Sequence, residues 1–290
     1  MTIGLRISVY STKGAQIGVP KLIKSLVKHD AGATFFFSMG PDYDFYSISQ
    51  LFRSIGMGHL KLKSTFSRKL INPPWLNKEC IDVIKTTKKQ GYEIGVNAFN
   101  ANAWLGKVRR ATPNWTALQM KLARAEFCKI FDEPPFASAA PFWQMNKEAY
   151  RLNQRLGYKY SSDTRGSHAY IPIFQGEIIG CPQIPTTLHT ISEIVLQKKQ
   201  SSKTAINNLL QLTQKSLHHV YAANAESEGI KYHEAFDTLL GEWRKRKYQI
   251  VSLKEYLDNS VKDLPRHTIT SVKIAGIARL VEKQGSEFLI

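Results

Sequence analysis

Strand-like and helix-like segments alternate along most of this chain, and that order constrains its fold more than any single motif does. Residues 3–10 read as a buried strand. Gly18-Val19-Pro20 then opens a helix, with proline in its first turn and Leu22, Ile23, Leu26 and Val27 on one face. A second strand is expected over 33–38, a helix over 78–90 and a third strand over 92–96. Asn114 is the expected N-cap of a helix in which Trp115, Leu118, Leu122 and Ala125 recur at helical spacing. Further strands are expected at 137–140, 158–161, 218–222 and 248–251, and further helices at 147–156, 203–217 and 234–245. Repeated β-then-α order implies a mostly parallel sheet or barrel, within one domain over 1–290. Functional groups of such folds gather at the C-terminal ends of strands. Ser8, Tyr10, Asn97, residues 141–146 and Asn224 would all fall there.

At 290 residues and 43% hydrophobic content, the chain can bury its own core without disulfides or a structural metal. Its three cysteines, Cys80, Cys128 and Cys181, are scattered and odd in number, as expected of small hydrophobes in a reducing compartment. The start of the chain passes straight into a strand-like run, and no apolar stretch reaches the roughly 18 residues needed to span a bilayer. The expected location is cytoplasmic, with peripheral attachment to the inner membrane as an extension of it. Forty Lys and Arg against 23 Asp and Glu give a formal charge of +17, which favours an anionic partner. No nucleic-acid-binding pattern accompanies that charge, so nucleic acid is not the expected partner.

One stretch breaks the alternation. Residues 43–76 interleave Phe45, Leu51, Phe52, Leu60 and Phe66 with Arg53, Lys61, Lys63, Arg68 and Lys69, with no acidic residue from 45 until past its end. Such an insertion can lie on a membrane surface or simply pack on the barrel with its lysines in water.

Eight blocks carry a resemblance. They are Gly4-Leu5-Arg6-Ile7, Gly18-Val19-Pro20, residues 35–42 (Phe-Phe-Phe-Ser-Met-Gly-Pro-Asp), residues 93–104, Ala137-Ser138-Ala139-Ala140, residues 160–166 (Tyr-Ser-Ser-Asp-Thr-Arg-Gly), Gln183-Ile184-Pro185 and residues 220–229. In this order and spacing, over about 3–260, they resemble the polysaccharide deacetylase (NodB-homology) family. Within it they resemble the subgroup of lipid-carrier sugar deacetylases, such as the deformylase of undecaprenyl-phosphate-linked formamido-arabinose in lipid A modification. The resemblance implies a distorted (β/α) barrel of seven or eight strands. It also implies one divalent metal, usually zinc, held by Asp-His-His, with an Asp base, an orienting Arg and a late His acid.

The chemistry that the resemblance implies is missing at the matching positions. Ser8 stands for the general base and Tyr10 for the metal-binding Asp. Asn97 and Ala101 stand for the two metal-binding histidines, and Asn102 for a further His of the lipid-linked subgroup. Gln144 and Asn146, after Trp143, replace the Arg-x-Asp pair, and Asn224 replaces the late His. Alcohol and amide oxygens are poor zinc ligands, so no metal and no cofactor is expected. None of the eight histidines shows ligand spacing, and the pair His218-His219 reads as structural.

The polar residues left in the expected cleft are candidates for ligand binding: Tyr10, Asn97, Asn102, Trp143, Asp163, Arg165, Glu226 and Glu228. Asp163 and Arg165 can instead pair to fix a loop, and the two glutamates can cap one. The expected function is a barrel that no longer hydrolyses, binding a lipid-phosphate-linked sugar or partnering an active deacetylase. The competing expectation is an active deacetylase or deformylase of a lipid-linked amino sugar, working through relocated groups such as Asp163, Glu226, Glu228 or His233.

Overall fold

A computed structural model describes residues 1–42, 74–198, 200–214, 216, 218–259, 263–274 and 279–288. The basic stretch expected to form an insertion therefore lies, as far as residue 73, outside the described residues. Elements follow in the order β1 (Thr2–Val9), α1 (Val19–Lys28), β2 (Thr34–Phe37), α2 (Leu76–Glu79), α3 (Ile81–Lys89), β3 (Glu93–Val96), α4 (Ala101–Lys107) and α5 (Pro113–Phe131). After them come β4 (Ala137–Ser138), α6 (Lys147–Arg155), β5 (Tyr160–Ser161), β6 (Ile171–Phe174), β7 (Glu177–Ile178), α7 (Ile191–Lys198) and α8 (Ser202–Thr213). The chain closes with β8 (His218–Asn224), α9 (His233–Lys245), β9 (Gln249–Val251), α10 (Leu253–Asp258), β10 (Arg266–Lys273) and β11 (Leu280–Glu287).

The alternation builds the parallel sheet expected of it. Seven strands take the order β5-β4-β3-β2-β1-β8, with β9 also on β1, and every pairing is parallel. The first residues of β1 pair with β9 and its later residues with β2, so β1 serves three neighbours. The sheet curls, and the extended segment 182–188 closes the gap between β5 and β8. Ile184 N–H donates to Ser161 O at 2.8 Å and Thr187 N–H donates to Val220 O at 3.0 Å.

Alternation within β1 sorts its side chains. Ile3, Leu5, Ile7 and Val9 pack with the helices, whereas Gly4, Arg6 and Ser8 belong to the opposite face, inside the curl. The lower lumen is filled by Phe36, Tyr160 and Val220, with Tyr256 of α10 against Gly4. Phe36 fits because residue 95 is glycine: a Cβ there would lie 2.6 Å from the Phe36 ring and 2.7 Å from Ala137 O.

A smaller sheet, β11-β10-β6-β7, was not expected from the sequence. It docks on the barrel where β11 exchanges hydrogen bonds with Arg165, 2.8 Å to Glu282 O and 2.8 Å from Gln284 N–H. Val281 then packs with Trp143 and Ala222. Several helix starts follow local chemistry. Thr112, not Asn114, caps α5, because Pro113 takes the first helical position, where its missing N–H costs nothing. Asn100, Asn146, Ser201 and Ser252 cap α4, α6, α8 and α10 through side-chain oxygens. The helix expected over 78–90 is broken at Cys80 into α2 and α3. All three cysteines are free.

Candidate functional site

The strand-end positions do come together around the mouth of the curl. Ser8 pairs with Phe36 and Asn224 in the ladder, Asn97 N–H donates to Phe37 O, and Ala140 leads into the turn Pro141–Trp143. Ser8, Asn97, Gln144 and Asp163 are buried, each no more than 3% exposed. Tyr10, Asn102 and Asn224 are half-buried and form the outer rim, whereas the half-buried Asn146 turns its Nδ2 to Val108 O and Thr116 Oγ1, at 2.9 Å each.

Arg6 sits deepest. Its guanidinium donates to Ser162 O, to Ser162 Oγ and Ser8 Oγ at 3.2 Å each, and to Ala140 O at 3.4 Å. Burial lowers its pKa, and the fields of Tyr10 and Asp163 oppose that shift. A charged residue inside an apolar strand is the one sequence signal that could have marked it as part of this site.

Tyr10 stacks on Phe142 with centroids 5.3 Å apart. Burial raises its pKa above the ordinary phenol value, although Arg6 pulls the other way. Phe142 and Trp143 both have positive φ, 51° and 54°, a left-handed pair that bulky residues rarely adopt. The turn they make holds Trp143 between two guanidiniums, Arg6 at 5.8 Å and Arg165 at 4.6 Å from the ring, while its Nε1–H donates to Thr186 Oγ1 at 3.0 Å.

The carboxylates are all engaged. Asp163 accepts from Ala140 N–H and Asn153 Nδ2 at 2.7 Å each and from Gln183 Nε2 at 3.0 Å; burial still raises its pKa. It does not pair with Arg165. The expected ion pair is replaced by Arg165–Glu193 at 3.1 Å, because α7 brings Glu193 to the guanidinium while Asp163 turns to amide donors. Burial acts against the Glu193 carboxylate, but Arg165, His189 and the Thr190 N–H outweigh it and hold its pKa below the usual value.

Glu226 Oε1 accepts from Tyr10 N–H (2.9 Å), Ser11 N–H (2.8 Å) and Ser11 Oγ (2.8 Å), tying the ends of β1 and β8 together. Its Oε2 is buried without a hydrogen-bond partner, and burial pushes its pKa up to about 7. Glu228, fully buried, accepts from Asn224 N–H at 2.9 Å, and burial likewise pushes it up to about 7. The Asn224 side chain accepts from Glu226 N–H (2.9 Å) and Ser227 N–H (3.3 Å), so it caps the turn that follows. Asp42, overlooked as a site residue, accepts from the Thr12 N–H at 2.6 Å and from its hydroxyl at 2.8 Å.

The residues at the matching positions do not suit a zinc ion. Asn97 Nδ2 donates to Phe36 O at 2.9 Å, Ser8 Oγ accepts from Arg6, and Ala101 offers a methyl group. Tyr10 offers a phenol whose raised pKa keeps it neutral. Among the described residues, no group of three His, Cys, Asp or Glu side chains stands at ligating distance. His233 is not part of the site either; its Nε2 lies 3.1 Å from both Ser25 Oγ and Lys21 O.

No family model matches the chain. It is 29% identical over 293 residues to a Shewanella sediminis protein assigned as 4-deoxy-4-formamido-L-arabinose-phosphoundecaprenol deformylase, ArnD, with 98% of this chain and 95% of that protein covered. The structure is similar to that of a protein assigned as a polysaccharide deacetylase from Mycobacterium smegmatis, at TM-score 0.64 and 13% identity, covering 94% and 95% of the two chains. It is also similar, at TM-score 0.54 and 14% identity over 92% of this chain and 69% of the other, to a CE4-family pseudoenzyme from Bacillus anthracis. The chain thus resembles the polysaccharide deacetylases along nearly its whole length and has their fold, a curled parallel sheet ringed by helices.

Proposed function

We propose that this chain is a non-hydrolysing relative of the lipid-carrier-sugar deformylases, which engages a lipid-phosphate-linked amino sugar at the strand-end face without cleaving it. The observation that carries this reading is the donor set. Where the resemblance calls for carboxylate and imidazole, the positions hold Ser8, Tyr10, Asn97 and Ala101, and the first three present neutral groups in a crowded, hydrogen-bonded wall. Alcohol, phenol, amide and methyl groups at those positions offer neither good ligands for a metal nor a base to activate water for attack on an amide.

The ligand class follows from two supports. The ArnD relative's name specifies a phosphoundecaprenol-linked arabinose, and the excess positive charge of this chain suits a phosphate-bearing ligand. Half-buried Tyr10, Asn102 and Asn224 form the rim at which sugar hydroxyls would be met. Among the described residues no helix is long and apolar enough to cross a membrane. A lipid-linked ligand would therefore be met at a membrane surface, with residues 43–76 as the contact, on the cytoplasmic face. An active deacetylase is the partner that such a protein would regulate.

One observation favours a second reading. Glu226, with a pKa of about 7 and a buried, unpartnered Oε2, has the properties of a relocated general base. The deciding experiment combines three measurements on the purified full chain: metal content by mass spectrometry, binding of a short-chain polyprenyl-phosphate-linked formamido sugar, and release of formate from it. Binding without turnover, and without zinc held at the strand-end positions, is expected. Turnover abolished by Glu226→Gln would establish the second reading instead.

A further inference from the structure

Two histidines 99 positions apart, His168 and His267, meet outside the barrel mouth with their Nε2 atoms 3.1 Å apart. The neighbouring hydrogen bonds fix which nitrogens carry hydrogen. Ser167 N–H donates to Gln284 Oε1 at 2.8 Å, which sets the amide so that its Nε2 faces His168 Nε2 at 3.1 Å. An amide nitrogen only donates, so His168 Nε2 presents a lone pair. The Nδ1–H of His168 donates to Ser167 Oγ at 2.9 Å, and that hydroxyl passes its own hydrogen to Gln284 Oε1 at 3.2 Å. His267 Nδ1 lies 3.0 Å from Gly285 O, a carbonyl that only accepts, so the Nε2 of His267 is also a lone pair. In the neutral pair the single lone pair of His168 Nε2 takes the Gln284 N–H, the lone pair of His267 Nε2 faces that same His168 nitrogen, and no hydrogen lies between the two rings. A cation that displaced the Gln284 N–H would be held by both nitrogens.

We propose that His168 and His267 are the paired imidazole ligands of a site for a borderline divalent transition-metal ion such as Zn²⁺ or Ni²⁺. Two nitrogens bound at about 2.0–2.1 Å in tetrahedral geometry lie about 3.3 Å apart, close to the separation found here. The carbonyl on His267 Nδ1 is the kind of partner that orients a ligating imidazole and fixes its tautomer. Tyr170 packs edge-on against the His267 ring, holding it in place. Glu287, opposite His267 in the β10–β11 ladder, adds negative charge nearby. No third His, Cys, Asp or Glu among the described residues completes the set, so water fills the remaining positions and the affinity is modest. This site is separate from the strand-end positions, and it stands or falls independently of the proposed function.

Calorimetric titration of the full chain with Zn²⁺ and with Ni²⁺ tests it. One ion per chain at micromolar affinity is expected, weakened about tenfold or more by His168→Ala or His267→Ala and unchanged by His189→Ala. Thermal melts confirm that each variant is folded. Gln284→Glu keeps an acceptor for Ser167 N–H and puts a carboxylate oxygen beside His168 Nε2, so it should bind Zn²⁺ about tenfold tighter. An absence of binding to the unaltered chain at millimolar metal would mean that the pair shares only a proton, and would overturn the proposal. Binding that ignores both histidine substitutions, or is not tightened by Gln284→Glu when the alanine variants fail to fold, would overturn it as well.

Discussion

The Arg165 guanidinium lies 4.6 Å from the Trp143 ring while its Nη1 donates to Glu193 at 3.1 Å. All three side chains are buried, and each comes from a different part of the chain. The stack therefore pins the left-handed turn at Phe142 and Trp143 to the loop after β5 and to α7. Arg165 and Glu193 fix the shape of the barrel mouth.

Removing one member of a buried ion pair leaves an uncompensated charge. Glu193→Gln should destabilise the protein by about 3–5 kcal/mol in urea unfolding. A loss below about 1 kcal/mol would mean that water reaches the pair.

Glu228 makes stability depend on pH with a definite sign. Its carboxyl titrates near 4.5 in the unfolded chain and at about 7 in the folded one, so the native state binds this proton more tightly. The stabilisation is complete below pH 4.5 and is lost as pH rises through about 7, by about 3 kcal/mol in all. Glu226 contributes with the same sign. Urea unfolding across this range should show stability falling with pH, and Glu228→Gln should flatten the slope. An unchanged slope in that variant would show that Glu228 is already ionised in the native protein at acid pH.

Reinstalling ligands tests how much of the metal frame the scaffold has kept. The combined variant Tyr10→Asp, Asn97→His and Ala101→His should take up one zinc per chain, whereas the unaltered chain takes none at the strand-end positions. The His168→Ala background removes the separate imidazole site from this count. Failure of the folded variant to retain zinc through dialysis would show that β1 and β3 no longer hold these positions at ligating distance.

Gly95→Ala should cost about 1–3 kcal/mol, because the added methyl meets the Phe36 ring at 2.6 Å and Ala137 O at 2.7 Å. The complementary variant Gly95→Ala with Phe36→Leu should recover part of the loss. Chemical denaturation of the single and double variants measures the coupling.

Much of the barrel was legible because its signals are local. Buried parallel strands read as apolar runs, so β1, β2 and β3 were placed within a residue or two of their ends. The small sheet was not, since β10 and β11 are largely polar on their outer face and β7 is two residues long. Only His267 is buried in β10, and Ile269 and Val272, three positions apart, do not alternate with polar residues, so periodicity gave little signal for this strand. At the site, the residue types at the strand ends were visible, but their partners were not. Asp163 and Arg165, two positions apart, looked like natural mates, yet opposite sides of the loop face different neighbours.

The sequence alone determined that strands and helices alternate, that the sheet is parallel, and that Ser8, Tyr10, Asn97 and Ala101, assigned through the resemblance to its base and ligand positions, carry neutral side chains. Those properties reside in residue types and short-range periodicity. Only the tertiary structure decided that Arg165 meets Glu193, that Glu226 ties β1 to β8, and that His168 meets His267. Contacts between residues far apart in the chain depend on how the curl closes and how the small sheet docks, and no local pattern encodes that distance.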